Sequence, residues 1–461
     1  MKKIIFLACA ITLLLTSCDD YLDVKPYGKV IPKTPEEFSA LIHTHLNDID
    51  VGGQAYIIYD AQRVINFDMA GCNDFEACLT EQPGRALPYY MGNLSGGYGA
   101  LYEVIRDCNI VINNMTDEGT KTTNNVLAAA YALRAVCYYQ LLRLYCEAPV
   151  KGSYDSQPGM PLVDRFDMEA RPIRSSMQAT INFIETDLQK SLSYKCSDEL
   201  YRFTENVTKG YLARLYFWTE QWDKCLPLAQ ELIKSHPLLS GDAYKEMIAK
   251  PYTPMNNHLI MVYRLASHSA EDDYNATNSS IKFRPVSKRF IDCFQNGEDT
   301  TDVRYAVSIN RKRQAIKPIY CGMRAAEFKF MEAESFYHLG KQDEALQSLN
   351  ELRAHRIDGV KPYTRETLPA APQATLLTTD CDGKPMTALL ATILNERHKE
   401  FFLEGDRFFE LKRNGGPEYW VPYNGRKYTN LHYMYTLPIP EIDIRITEGM
   451  VQNPGYTELN Y

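Results

Sequence analysis

Apolar side chains recur along this chain at steps of three and four. Leu101, Val104, Ile105, Cys108, Val111, Ile112 and Met115 form one such stripe, and Val126, Ala130, Leu133, Cys137, Leu141 and Leu144 form a second. Met177, Ile181, Ile184, Leu188 and Leu192 make a third. Steps of three and four bring side chains onto one helical face, so each stripe predicts an α-helix with that face buried against a neighbour. Pro149 stops the second stripe, because proline removes a backbone donor and clashes with the preceding turn.

Two segments repeat the same pattern at an offset of about 120 residues. In one, Ala213 and Tyr216 precede Cys225, Ala229, Leu232 and Pro237; in the other, Ala333, Phe336 and Gly340 precede Ala345, Leu349 and Leu352. The order is small, aromatic, turn, small, then apolar. That is the spacing of a tetratricopeptide helix pair, in which small residues let two helices approach and large ones fill the groove. The first copy departs from it, with Glu220 where Gly340 marks the turn. Valine at Gly340 is therefore expected to cost more than valine at Gly415, since it fills a tight turn between packed helices.

Between these patterns the character changes. Residues 52–98 are glycine-rich and interrupted by Pro83 and Pro88, while 238–320 and 414–461 are rich in Pro, Asn and Tyr. Loops of this length in a compact domain are usually functional or disordered, and their aromatic content argues against simple disorder. The expected fold is mainly α, a tetratricopeptide-like helical repeat scaffold with long irregular loop insertions. Three regions are expected: 1–17, 18–237 with the first helical repeats, and 238–461 with the later repeats and loops.

The first region reads as a secretory signal. Lys2 and Lys3 precede an uncharged run from Ile4 to Leu15, too short for the ~20 residues that span a bilayer. Leu15-Thr16-Ser17-Cys18 then places a cysteine where cleavage should occur. This resembles a bacterial lipobox, which makes Cys18 the acylated first residue of the mature chain and the membrane attachment a lipid anchor.

The formal net charge of −8, with no basic run, argues against a nucleic-acid partner. The 12 cysteines are irregularly spaced in a chain too long to need a disulfide framework. Cys108, Cys137 and Cys225 read as buried small hydrophobes, whereas Cys72 and Cys78, in a glycine-rich stretch, could pair.

Candidate chemistry is sparse. Glu396, Glu400 and Glu404 are four apart, and paired carboxylates serve as acid and base in glycoside hydrolysis. Arg397 and Arg407 lie close by and favour ion-paired, structural carboxylates that make poor general acids. No phosphate loop, serine elbow or zinc-protease helix is present in the sequence, and no cofactor is expected beyond a possible calcium ion. Glu271, Asp273, Asn275 and Thr277, with Asp272, set oxygen side chains on alternate residues and suit calcium if the segment is a loop. His43 and His45 would suit a metal only in an extended segment. Rings outside the repeats are the ligand candidates: Tyr89, Tyr90 and Tyr98 in one segment, Trp420 and Tyr423 in another. A sugar stacks its C–H face on such a ring. Trp218 and Trp222 flank a repeat turn and read as core.

The motifs, taken in order, resemble the SusD/RagB family. Cys18 opens a segment running to Pro26; Tyr98 to Asn109 is similar to the family's first repeat helix, although many members carry tryptophan at Tyr98; Leu133-Arg134-Ala135 to Pro149 is similar to the next. Asp302-Val303-Arg304, Arg324, Leu349 to Arg353, Glu396-Arg397, Glu404 to Arg407, Leu411 to Gly415, Leu437 to Pro440 and Gln452 to Tyr456 follow. The resemblance implies an outer-membrane lipoprotein facing the exterior, docked over a SusC-like TonB-dependent transporter, capturing a glycan or a peptide and not acting as an enzyme. A helical-repeat adaptor without a small ligand is the reading from another class.

Overall fold

The computed structural model describes residues 32–51, 56–70, 72, 74–76, 97–167, 169–252, 259–262, 267–294, 301–370, 376–423 and 425–456. Cys18, Cys78, Tyr89 and Tyr90 lie outside the described residues.

The N-terminal half contains α1 (Pro35–Val51), α2 (Ala61–Ala70), α3 (Gly97–Asn114), α4 (Lys121–Tyr145), α5 (Met177–Ser193), α6 (Glu205–Trp218) and α7 (Trp222–Ser235). The three apolar stripes fall on α3, α4 and α5. Thr120 and Ser176 start α4 and α5 by accepting the backbone N–H three residues on, a cap that stabilises a helix by about 1 kcal/mol. The α4 helix is buried nearly all round, not along one stripe, because α1, α3, α5 and α6 all pack against it. Each fully buried Leu-sized side chain contributes about 1.5–3 kcal/mol. The buried Arg134 of α4 reaches Asp187 of α5 at 2.7 Å and Asn109 of α3 at 2.6 Å, tying three helices together.

The second half contains α8 (Gly241–Ala249), β1 (Leu259–Val262), α9 (His268–Ile281), α10 (Lys288–Ile291), α11 (Val303–Ser308) and β2 (Gly322–Arg324). It continues through α12 (Ala325–His338), α13 (Gln342–Ala354), α14 (Ala388–Glu400), α15 (Arg407–Arg413), β3 (Tyr419–Tyr423), β4 (Arg426–Asn430) and α16 (Glu441–Ile446). Strands β1 and β2 pair antiparallel, as do β3 and β4. The stretch 238–320 is thus more helical than its composition suggests. One apolar core takes residues from both halves, from Phe38 to Ile439.

The two repeat copies are the helix pairs α6–α7 and α12–α13, and α12 also packs on α7. Both pairs turn in the same way. The N–H of Gln221 donates to Tyr216 O and that of Glu220 to Phe217 O; in the second copy Lys341 donates to Phe336 O and Gly340 to Tyr337 O. This is a Schellman cap, whose penultimate donor sits in the left-handed region. Gly340 has φ +77° and Glu220 φ +56°.

Three expectations are corrected here. A Cβ on Gly340 would meet nothing within 4 Å, whereas one on Gly415 (φ +89°) would lie 2.7 Å from Thr379 Oγ1, so Gly415 is the costlier glycine to fill. Glu271, Asp273 and Asn275 lie on helix α9, not in a loop. At about 100° per residue, alternate positions point to opposite sides, so these oxygens do not converge as a calcium site requires. Cys72 is a free, buried thiol that donates to Asp68 O, so it is not paired with Cys78.

Candidate functional site

Strand β3 alternates its side chains across the hairpin. Tyr419 is buried, and Trp420 beside it turns to solvent with 48% of its surface exposed. Trp420 pairs with Thr429 across the ladder. Its diagonal neighbour on the same face is Lys427, whose ammonium stands 5.4 Å from the ring centroid. The site therefore offers a half-exposed ring with a cation over part of one face. Tyr423 ends the same strand, but its side chain lies outside the described residues, as do Tyr89 and Tyr90.

Tyr98 has a different role from the one expected. It is 5% exposed and packs against Tyr102 at 4.9 Å and Tyr145 at 5.1 Å between ring centroids. The fold uses it to join α3 to the end of α4, so it is not a ligand platform. Trp218 and Trp222 are core, as expected. His43 packs at a tilt against Tyr201 and His45 bonds Asp107 at 2.9 Å; both lie on helix α1, and the two rings serve separate contacts.

The acidic series is buried and paired. Glu396 accepts from Arg304 (2.5 Å), Arg353 (2.6 Å) and Lys399 (2.9 Å). Glu400 accepts from Arg324 (2.5 Å) and Arg356 (2.8 Å), and Glu404 from Lys317 (2.5 Å) and Arg324 (2.9 Å). The expected partners are engaged elsewhere: Arg397 holds Asp406 at 2.7 Å, and Arg407 pairs with Glu410. Apart from Lys399 on the same helix, the cations of the network come from residues 304–356, including the Arg304, Arg324 and Arg353 positions of the ordered motifs.

This network sets the charge states. Burial raises the Glu396 carboxyl, but Lys399, Arg304 and Arg353 outweigh it and hold it well below 4.5. Burial acts in the same way on Glu400, and Arg356, Arg324 and Arg304 outweigh it. Neither keeps a proton to donate near neutral pH, so neither suits a general acid. Their stabilisation is complete above an unfolded value of about 4.5 and is lost as pH falls through the depressed folded values. The urea midpoint is accordingly expected to drop between about pH 5 and about pH 3; a flat profile across that window would contradict the assignment.

A polar cavity of about 100 Å³ has Arg143, Arg214, Glu327 and Asp406 on its wall. It has room for several waters but is smaller than the ~300 Å³ at which ligand pockets begin. Arg214 and Glu327 close on each other there at 2.6 Å.

Two family models match this chain: the SusD family over residues 269–456, and a family described as starch-binding associating with outer membrane over residues 20–217. Among solved structures, a putative sugar binding protein from Bacteroides vulgatus ATCC 8482 is similar, with TM-score 0.71 and 18% identity over 93% of this chain and 100% of that one. A SusD-like carbohydrate binding protein from the same organism gives TM-score 0.69 and 18% identity over 91% and 98%. A laminarin binding SusD-like protein gives TM-score 0.60 and 18% identity over 92% and 100%. A search of curated proteins returns no significant match. At these identities the solved structures speak to the fold, and the two family models, one in each half, carry the assignment: the chain belongs to the SusD/RagB family.

Proposed function

We propose that this protein is a surface lipoprotein of the outer membrane that captures a glycan and passes it, chemically unchanged, to a SusC-like TonB-dependent transporter. The observation that carries the reading is the exposed Trp420 ring with the Lys427 ammonium over part of one face. It belongs to a chain similar to proteins described as sugar binding, carbohydrate binding and laminarin binding. A pyranose presents an axial C–H face that stacks on such a ring, and its hydroxyls take hydrogen bonds from polar groups around it. The buried, ion-paired acidic series supports capture without turnover.

The test is calorimetric titration against laminarin, starch and a peptide pool, with a product assay run in parallel. A glycan is expected to bind without reducing-end release, and Trp420→Ala to weaken it by about 2 kcal/mol, roughly 30-fold. Binding confined to peptides would move the ligand class, and release of shorter sugars would overturn the non-enzymatic reading.

Membrane attachment through Cys18 is supported by the lipobox-like sequence. Among the described residues no helix is long and apolar enough to cross a membrane. Cys18→Ala is expected to abolish incorporation of labelled fatty acid and release the protein from the membrane fraction. Wild-type labelling in the variant would refute the anchor.

A further inference from the structure

Glu220 is costly twice over. It occupies the left-handed position that Gly340 fills in the second repeat copy, where a side chain is unfavourable. It is also 3% exposed, and neither carboxylate oxygen has a hydrogen-bond partner among the described residues. A buried carboxylate without a partner is among the least favourable groups in a folded protein. Its surroundings give it a role. A carboxylate oxygen of Glu220, Cys381 Sγ and an oxygen of Asp382 all lie within 4.8 Å of one another. The same spacing unites His338, Asp380 and Asp382, and His338 Nε2 stands 3.7 Å from Cys381 Sγ. These side chains come from three places: the turn after α6, the end of α12, and the loop of residues 378–386, closed by a bridge between Thr379 and Pro385.

We propose that Glu220, His338, Cys381 and Asp382 form a structural site for a divalent ion of the zinc type. One thiolate, one imidazole and two carboxylates are ligands of the softness that zinc takes, in the number that a closed tetrahedral site requires. Bonds of about 2.0–2.3 Å bring ligand atoms within roughly 3.5 Å of one another, so the His338–Cys381 pair is nearly placed already. The 378–386 loop moves by about an ångström to complete the set. Aromatic stacking of His338 on Trp222, at 4.4 Å and 8° between planes, fixes the ring, as an outer contact should. Asp380 is held by the Lys384 N–H and stands beside the ion.

Three cations face the cluster. Arg413 is already paired with Glu334 at 2.5 Å. Lys151 acts on Glu220 only through space. Lys384 holds Asp382 at 2.7 Å through a largely exposed side chain, which swings into water at little cost. On binding, the Cys381 S–H bond breaks, sulfur keeps the electron pair for the metal, and the proton leaves to solvent. The ion would staple the loop to the turns of both repeat copies.

The experiment uses the full lipidated chain in detergent, stripped with a chelator and titrated with zinc against a chromophoric competitor, then with cobalt. One equivalent of zinc is expected, with a rise in unfolding temperature, and cobalt should show a sulfur-to-metal charge-transfer band. Cys381→Ser should abolish that band. Asp382→Asn, at a position whose ion pair among the described residues is with the exposed Lys384, should weaken zinc at least 10-fold. Glu220→Gln separates the site from mere packing: the stripped variant should be no less stable than wild type, yet lose the zinc-induced shift. Absence of stoichiometric zinc uptake by wild type, or uptake unchanged in all three variants, would overturn the proposal.

Discussion

Glu400→Gln is expected to lower the free energy of unfolding by about 3–5 kcal/mol. Glutamine keeps the shape of the side chain, so the cost is electrostatic. Glu400 is fully buried, and its two oxygens receive Arg324 at 2.5 Å and both Arg356 donors at 2.8 Å. The amide removes the negative charge and leaves these guanidiniums facing a neutral group deep in the protein, with Arg304 3.7 Å away. Removing one partner of a buried pair costs far more than the pair contributes in net terms, because the remaining charge stays desolvated. Urea unfolding of the variant and wild type near neutral pH measures the loss. Glu344→Gln, at an exposed site on α13, is the control and should stay within about 0.5 kcal/mol. A change below about 1 kcal/mol at Glu400 would mean that the network is not the structural element described above.

The helices were legible because their burial is written in local spacing. The stripes at 101–115, 126–144 and 177–192 needed only a period of 3.6, and the repeat needed only an offset. What periodicity could not show was which cations serve the acidic series. Arg397 and Arg407 are near in sequence, but Arg304, Arg324, Arg353 and Arg356 are near in space, brought there by the packing of α11, β2 and α13 on α14. The ordered motifs held that information, since several of them supply this one network. The closing motif is structural too: Asn453 donates to Tyr145 O at 2.8 Å and Leu437 O at 2.7 Å, and Gln452 bonds both backbone groups of Ile439.

The ligand rings were harder for the complementary reason. Tyr98 and Trp420 both lie beside glycine-rich or irregular sequence, and composition treats them alike. Burial separates them: α3 begins at Gly97 and carries Tyr98 inward, while the two-residue period of β3 carries Tyr419 inward and Trp420 out. The oxygen-rich run at 271–277 misled in the same way, because alternate oxygens converge in a loop and diverge on the helix that Ser267 caps. Motifs that specify the scaffold are therefore a poor guide to which rings reach solvent, which depends on what the hairpin and loops leave exposed.

Gly415→Val is expected to destabilise the protein by about 3 kcal/mol or more, and Gly340→Val by only about 1–2 kcal/mol. Both glycines are in the left-handed region, so both substitutions carry backbone strain, and a β-branched residue carries more than most. At Gly340 the new Cβ itself enters open space, so backbone strain leads the cost. Glu220 shows that an L-residue can hold the equivalent turn at φ +56°. At Gly415 the Cβ also lands 2.7 Å from Thr379 Oγ1, well inside the ordinary contact distance. Valine adds two methyls beyond it, at the point where the chain leaving α15 meets the 378–386 loop. The steric part can be isolated: Thr379→Ala removes the hydroxyl, so the Gly415→Ala penalty should shrink in the Thr379→Ala background towards that of Gly340→Ala. A double-mutant cycle read by urea unfolding measures the coupling. Equal losses for the two valine variants, or no coupling between positions 415 and 379, would show that backbone strain alone decides both sites.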